Sequence, residues 1–296
     1  MDCKYCGSSK TRKKGIRNDA QRFKCNDCNK WWRGQVPQIK AKINETKIAK
    51  RVVVTPDKHF PLADVDALRV VAKAIEIIKP DAYIDLGDML EGNKISHHNK
   101  LLKKYPLEYI VKKAEEEIEE GLKQLDIIDE ALDKINCKEK HITTGNHDEW
   151  YNSFYAEYPF LPQFKFENIV SGREYKVHPA GKLLKMGRLH FYHGHHYGGV
   201  YHARNHLLKL GCNIMYGHHH SINQDSITHV DGVKSAWSIG CLKDMSDESN
   251  LWLKRRKTNW AHGFAIVDFY GGGYFNVQPI VIVNGKTSLW GEVISA

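Results

Sequence analysis

From Arg51 onward the chain alternates short apolar runs with polar breaks, and each run ends in the same kind of residue. "RVVVTPDKH" stops at Asp57 and His59, "AYIDLGD" at Asp88, "HITTGNHD" at Asn146, His147 and Asp148, "LHFYHGH" at His193, and "NIMYGHHH" at His218 and His220. Runs this short, rich in β-branched residues and bounded by Gly or Pro, predict strands. Five strands would then each deliver metal-capable side chains from their C-terminal ends. Between the first two, "DVDALRVVAKAIEIIKP" sets Leu68, Val71, Ile75 and Ile78 on one face, with Asp64 as N-cap and Pro80 as a stop. That predicts a helix, and with it a strand-helix-strand unit. Leu107, Ile110, Ala114, Ile118, Leu122, Leu125 and Ile128 recur at helical spacing, a long amphipathic helix whose "KKAEEEIEE" run reads as a solvated face. After His220 the pattern shifts to alternation and tight turns at Asp231-Gly232, Gly271-Gly272-Gly273 and Asn284-Gly285, which predicts an antiparallel meander packed as a second sheet. Ligands of α/β sheets bind beyond the carboxyl ends of the strands, so the clusters converge by topology.

Length and charge add a second, smaller unit to this picture. A chain of 296 residues, 42% of them hydrophobic, can bury one large core and carry a small appendage. Residues 1–50 hold 14 Lys/Arg against 4 Asp/Glu, while the remaining 246 hold 30 against 31, so the positive excess sits at the N-terminus, where it attracts polyanions. The chain has no apolar run of eighteen residues, and "MDCKYCGSSKTRKKG" is polar where a signal peptide would be apolar. The expectation is a soluble cytoplasmic protein that engages no membrane. Seven cysteines in a reducing compartment point to metal ligands or buried thiols rather than disulfides.

Four of those cysteines form two knuckles, Cys3-x-x-Cys6 and Cys25-x-x-Cys28, eighteen residues apart. Such spacing closes a tetrahedral thiolate site around one structural zinc, which substitutes for the core that a segment of 36 residues cannot build. Lys10, Arg12, Lys13, Lys14, Arg17, Arg22 and Lys24 lie between the knuckles, interleaved or flanked by Tyr5, Phe23, Trp31 and Trp32, a mix suited to phosphate contact and stacking. The run "YCGSSKTRKKG…QRFKCNDCNKWW" resembles the zinc ribbon that opens some insertion-sequence transposition proteins. That resemblance implies a nucleic-acid partner, DNA before RNA, with protein contact through the ribbon as the other reading. The expected organisation is a ribbon at 1–36, a basic linker at 37–50 and a catalytic domain at 51–296; oligomeric state is left open.

The ordered series Asp57-x-His59, Gly87-Asp88, Gly145-Asn146-His147-Asp148, His193 and Gly217-His218-x-His220 resembles the calcineurin-like metallophosphoesterase superfamily over residues 51 to about 270. The resemblance implies an α/β, four-layer fold with two central mixed sheets flanked by helices, here preceded by the small ribbon. It also implies a dinuclear centre: Asp88 bridges, Asp57, His59 and His220 take one metal, and Asn146, His193 and His218 take the other. By the same resemblance His147 faces the scissile phosphate and is no ligand, and Asp148, its neighbour, could orient that imidazole. Two divalent cations can hold a bridging hydroxide as nucleophile and cancel phosphoryl charge. The N/O donor set suits Mn2+, Fe2+ or Zn2+ better than Mg2+ or Ca2+.

The remaining candidates take blander readings. His195 and His196 belong to the loop behind the ligands, while His97, His98, His202 and His206 are surface or helix residues. Cys137, Cys212 and Cys241 are free buried thiols, and Lys58 fills a position the motif leaves open. In the run "MYGHHHS", His218 and His220 would point to one side of a nearly extended loop and His219 away from it. Phosphoprotein phosphatases of this superfamily carry Gly-Asp-x-Val-Asp-Arg-Gly where this chain has "GDMLEGN", so the arginine that grips a phosphomonoester is missing. The core is similar to nucleases of the double-strand-break repair type and to phage-borne members. The leading expectation is a metal-dependent nuclease brought to its substrate by the ribbon. The alternatives are a phosphatase or phosphodiesterase for a small molecule or protein, with the ribbon as a partner-binding module, and a non-catalytic binding protein.

Overall fold

The computed structural model describes residues 2–17, 20–35, 47–99 and 104–296; residues 36–46, most of the expected linker, lie outside the described residues. Two compact units divide the chain, Met1–Thr46 and Lys47–Ala296. In the first, β1 (Thr11–Arg17), β2 (Ala20–Cys25) and β3 (Trp31–Gln35) form an antiparallel sheet.

The second unit is built on two mixed sheets. One has the order β14-β13-β4-β5-β6-β7, from β4 (Lys50–Thr55), β5 (Ala82–Asp85), β6 (Glu139–Thr143), β7 (Tyr175–His178), β13 (His262–Tyr270) and β14 (Tyr274–Ile282). β4 to β7 run parallel and β13 and β14 antiparallel. The other has the order β11-β12-β10-β9-β8, from β8 (Leu184–Met186), β9 (Leu189–Tyr192), β10 (Asn213–Tyr216), β11 (Ile222–His229) and β12 (Gly232–Ile239).

Strand alternation sorts the side chains into layers. Val52, Val54, Ala82, Ile84, Ala265 and Val267 meet Leu189, Phe191, Met215 and Ile239 between the sheets. Val53, Tyr83, Ile142, Phe264 and Ile266 face the other way, onto the helices α1 (Val65–Ile78), α2 (Leu107–Lys134) and α3 (Asn146–Glu157). The second sheet's outer face, with Tyr192, Ile214, Tyr216 and Ala236, is covered by Ala203 and Leu207 of α4 (His202–Leu210). Both faces of the central strands β4 and β5 are thus buried, which explains their continuous apolar runs. The result is the expected four-layer order of helix, sheet, sheet and helix. At α1 the expected cap is present: the Asp64 carboxylate accepts from the Ala67 N–H at 2.8 Å, and Lys79 ends the helix in the left-handed region, just before Pro80.

Two expectations are corrected. The C-terminal third is no single meander. β11 and β12 extend the second sheet, β13 returns to pair with β4, and β15 (Lys286–Leu289) and β16 (Glu292–Ser295) form a separate hairpin. A tight turn identifies a hairpin but carries no information on which sheet receives it. Within "KKAEEEIEE", Glu117 is buried, accepting from the Tyr151 hydroxyl at 2.9 Å, so that run is not wholly a solvated face.

Burial, only partly opposed by the Tyr151 hydroxyl, raises the Glu117 pKa from 4.5 to about 7. The native state then holds a proton that the unfolded chain releases, so stability falls as pH rises from 4.5 towards 7. Glu117→Gln keeps the acceptor and removes the charge. It should raise the Tm of the second unit by at least about 2 °C at alkaline pH and leave it unchanged at acid pH; scanning calorimetry at both pH values checks this.

Candidate metal centre

Each cluster foreseen at a strand end stands there. Asp57 and His59 follow β4, Asp88 follows β5, Asn146 and His147 open α3 after β6, His193 follows β9, and His218 and His220 follow β10. The loops that aim them are unusual in the same way. His59 (φ 53°), Asp88 (φ 48°), His218 (φ 64°) and His220 (φ 56°) all adopt left-handed backbone, which costs a non-glycine residue about 1–3 kcal/mol and clusters at functional sites. The loop of "MYGHHHS" is therefore curled rather than extended, correcting the sequence reading. Two glycines make room: a Cβ on Gly145 would lie 2.2 Å from Asp88 Oδ1, and one on Gly217 2.2 Å from Asp57 Oδ2.

Lone-pair atoms then face one another. His193 Nε2 stands 3.0 Å from Asn146 Oδ1, 3.1 Å from Asp88 Oδ2 and 3.2 Å from His218 Nδ1. His193 has its Nδ1–H committed to the Leu86 carbonyl at 3.0 Å, and the oxygens of Asn146 and Asp88 can only accept. On the other side His59 Nε2 lies 3.0 Å from His220 Nε2, and His220 Nε2 lies 3.7 Å from Asp57 Oδ1. Asp57, His59 and His220 gather as one potential cation site and Asp88, His193 and His218 as a second, while Asp88 also groups with His59 and His147. Ligands on adjacent corners of a cation with bonds of about 2.1 Å stand about 3 Å apart, so the donor set fits two cations sharing Asp88. The local field favours positive charge at that point: although burial opposes it, the Asp88 and Asp57 carboxylates raise the His193 pKa to about 9, so without a cation Nε2 itself would hold a proton. Burial, with Lys243 nearby, keeps His59 neutral, down at about 3.

Several supporting residues escaped the sequence reading. Glu91 is buried, with Oε2 2.9 Å from His59 Nδ1 and 2.7 Å from Lys243 Nζ. Its carbonyl accepts from His147 Nδ1 at 2.6 Å, which fixes the tautomer and leaves Nε2 as the basic nitrogen. Asp148 does something other than orient His147: its carboxylate accepts from the N–H groups of Met89 (3.0 Å), Leu90 (3.1 Å) and Gly145 (2.9 Å). At the third position of α3 it can reach back to the helix start, so it clamps the Asp88 and Asn146 loops together. Lys58, pointing opposite to its two neighbours, is fully buried and pairs with Asp85 at 2.6 Å beneath the centre. The sequence signals for these residues were a carboxylate three positions after Asp88 and a lysine between Asp57 and His59.

Of the other histidines, His195 is half-buried with its ring 5.6 Å from that of His193, while His196, His97 and His98 are exposed. His202 and His206 are helix residues, as expected, but buried ones; His202 binds the Tyr216 hydroxyl (2.6 Å) and Ser221 Oγ (3.1 Å). His219 turns away from the centre, stacked on His202 with centroids 4.0 Å apart. Cys137 and Cys241 are buried free thiols and Cys212 is half-buried.

In the N-terminal unit the four thiols of Cys3, Cys6, Cys25 and Cys28 gather as a potential metal site, with Cys3–Cys28 at 3.5 Å and Cys6–Cys25 at 3.7 Å. Tetrahedral zinc with bonds of about 2.3 Å sets its sulfurs about 3.8 Å apart, so the cluster has zinc-ribbon geometry. Strand pairing sorts the basic residues. Arg12↔Lys24↔Trp31 and Arg22↔Arg33 are opposite one another and share one face, with the Arg22 guanidinium 4.7 Å from the Trp31 ring. Lys13 pairs with Phe23 on the face of the small core. Lys14 is exposed, Lys10 stands 3.8 Å from Asp27, and the side chain of Arg17 lies outside the described residues.

Comparison with known proteins bears on this geometry. Residues 50–260 match the model of the calcineurin-like phosphoesterase family. The "Gene 54 protein" of Mycobacterium phage L5 is 24% identical over 260 residues, spanning 83% of this chain and 99% of the phage protein. Among solved structures, Vps29 of Chaetomium thermophilum aligns over 83% of this chain and 97% of its own, at 12% identity and TM-score 0.44. A dimetal phosphatase from Danio rerio aligns over 84% of this chain and 99% of its own, at 12% and 0.40. A family match across most of the catalytic unit, over strand-end clusters in the family's order, means that the chain belongs to the calcineurin-like phosphoesterases, a family of phosphoric ester hydrolases.

Proposed function

We propose that the chain is a two-metal phosphodiesterase that hydrolyses nucleic acid, brought to its substrate by the ribbon. The carrying observation is the two adjacent clusters, Asp57–His59–His220 and Asp88–His193–His218, with Asp88 also gathered beside His59. Asp57, His59 and His220 would hold one cation and Asn146, His193 and His218 the other. The donor set fits Mn2+, Fe2+ or Zn2+, and the four thiols fit a structural zinc. When bound, the two cations supply a nucleophile from water at neutral pH and neutralise phosphoryl charge.

The chain's own groups do the rest. Asp148 clamps the loops of Asp88 and Asn146, Glu91 orients His59 and His147 together, and His147 Nε2, the nitrogen left basic, can take up a proton and pass it to the leaving oxygen. The position where phosphoprotein phosphatases of this superfamily carry their arginine is Gly92, with φ +66°; a Cβ there would lie 3.2 Å from the His147 carbonyl. That backbone disfavours an arginine, which supports a diester over a monoester dianion. The ribbon face of Arg12, Arg22, Lys24, Trp31 and Arg33, where Trp31 is 44% exposed, suits phosphates and a stacked base. Carried on the same chain, it raises the local concentration of a polyanionic substrate.

With manganese added, the protein should hydrolyse a chromogenic phosphodiester faster than the matching monoester, and should cleave labelled DNA or RNA. A preference for the monoester, with no strand cleaved, would favour the reading in which the ribbon binds a protein partner. His147→Asn should lower kcat on a nucleic-acid substrate by about 10²–10⁴-fold without loss of bound metal. His218→Ala and His220→Ala should each lose metal and activity together, while His219→Ala keeps both, as metal analysis alongside steady-state kinetics would show. Replacing Arg22 and Lys24 by Gln should weaken binding of a labelled strand and flatten its salt dependence by about 0.7 per lost phosphate contact. Hydrolysis of the chromogen should not change.

A further inference from the structure

Residues 51–296 are nearly neutral by count, yet four consecutive cations, Lys254, Arg255, Arg256 and Lys257, stand exposed in one loop of the catalytic unit. Both feet of that loop rest on the metal centre. It leaves where the Leu242 N–H donates to the Asp57 carbonyl at 2.7 Å and Lys243 pairs with Glu91 at 2.7 Å. It returns where the Ala261 N–H donates to the His220 carbonyl at 2.9 Å and the Trp260 ring lies 4.5 Å from the His220 ring. The stem is braced: the Asp244 carboxylate accepts from Ser246 and Ser249, and buried Asn250 donates to the carbonyls of Asp244 and Ser246. The tip is open. Trp252 is 62% exposed and 6.1 Å from Trp260, so two tryptophans flank the cationic run. Against the run stand Asp247 and Glu248, of which Asp247 lies 4.0 Å from Arg255. Lys254 and Arg255 both hold left-handed backbone (φ 50° and 58°), which ends the short helix at Leu251–Leu253 and turns the chain into the run.

We infer that Lys254–Lys257, between Trp252 and Trp260, form a lip that binds a single nucleic-acid strand beside the scissile phosphate. The inference rests on the nuclease reading and gives it a substrate class. Consecutive Cα atoms are about 3.8 Å apart, so Lys257 lies within about 11 Å of Trp260 and Lys254 within about 23 Å. With Trp252 folded back to 6.1 Å from Trp260, the whole run stays within a few phosphates of the centre. A run of cations beside exposed indole rings suits a strand whose bases are free to stack, with phosphates tracked by charge. A duplex keeps its bases stacked inside and offers Trp252 nothing to hold.

The test compares the full chain with a variant carrying Lys254→Gln, Arg255→Gln, Arg256→Gln and Lys257→Gln, on single strands from two to about twelve nucleotides. Wild-type kcat/KM should rise with strand length, and the variant should lose that rise, at least about tenfold on the longest strand. Its salt dependence should become shallower by about 2, the value for three phosphate contacts to a single strand. Dinucleotide and chromogen hydrolysis should be unchanged, and the charge-preserving Arg255→Lys/Arg256→Lys variant should keep the length dependence. Trp252→Ala should lower cleavage of the single strand and spare the duplex. Wild-type and quadruple-variant proteins that share one length profile and one salt slope overturn the lip alone, and an equal loss on the chromogen and the long strand overturns it as a misfolded loop. A wild-type protein that hydrolyses the chromogen but cleaves no strand overturns the nuclease reading, and the lip with it.

Discussion

Acceptor atoms aimed at one another, with few protons to share, are the constraint on which the catalytic unit depends. His193 Nε2, Asn146 Oδ1, Asp88 Oδ2 and His218 Nδ1 meet at 3.0–3.2 Å, a separation that repels unless positive charge sits among them. Holding them there takes left-handed backbone at His59, Asp88, His218 and His220, which costs about 1–3 kcal/mol per residue. Contacts on the far side of each group over-determine the arrangement. The Leu86 carbonyl fixes one imidazole and the Glu91 carbonyl another, and the His218 N–H holds Asp57 at 2.8 Å.

The architecture follows from that demand. No single loop can present ligands from every direction, so two sheets lie face to face with the carboxyl ends of β4, β5, β6, β9 and β10 at one edge. Alternation along β4 sends Val52 and Val54 between the sheets and Val53 to the helices, giving the strands a packed seat on both sides. Beneath the ligands the buried Lys58–Asp85 pair holds the two loops from below. An ion pair in such a place adds little net stability, yet removing one partner leaves an uncompensated charge that costs about 3–5 kcal/mol. Its value lies in position rather than in stability.

How much of this was legible in the sequence depends on the range of each interaction. Strand-end clusters were readable because His, Asp and Asn seldom close an apolar run without a reason, and the N-cap at Asp64 was readable because it acts across three residues. The partnership of Glu91 with Lys243 spans 152 positions and left no local trace. The return of β13 to β4 was equally hidden, because apolar alternation fits either sheet. Asp148 was misassigned because adjacency to His147 suggested a side-chain partner, whereas the start of a helix puts that carboxylate on backbone N–H groups.

Net charge misled in a related way. A sum over 246 residues averages away a run of four, although at 0.15 M salt the Debye length is about 8 Å and a phosphate responds to the cations beside it. Local charge at the rim of a reacting centre therefore outweighs the balance of the whole unit. The ribbon and the loop at Lys254–Lys257 then do different physical work under the proposed reading. The ribbon's charges act through encounter and local concentration and are indifferent to which phosphate lies at the metals. Cations whose loop is rooted at Asp57 and His220 are fixed relative to those metals. They can favour a strand extending in one direction from the scissile bond, so a directional preference in cleavage would belong to the loop and not to the ribbon.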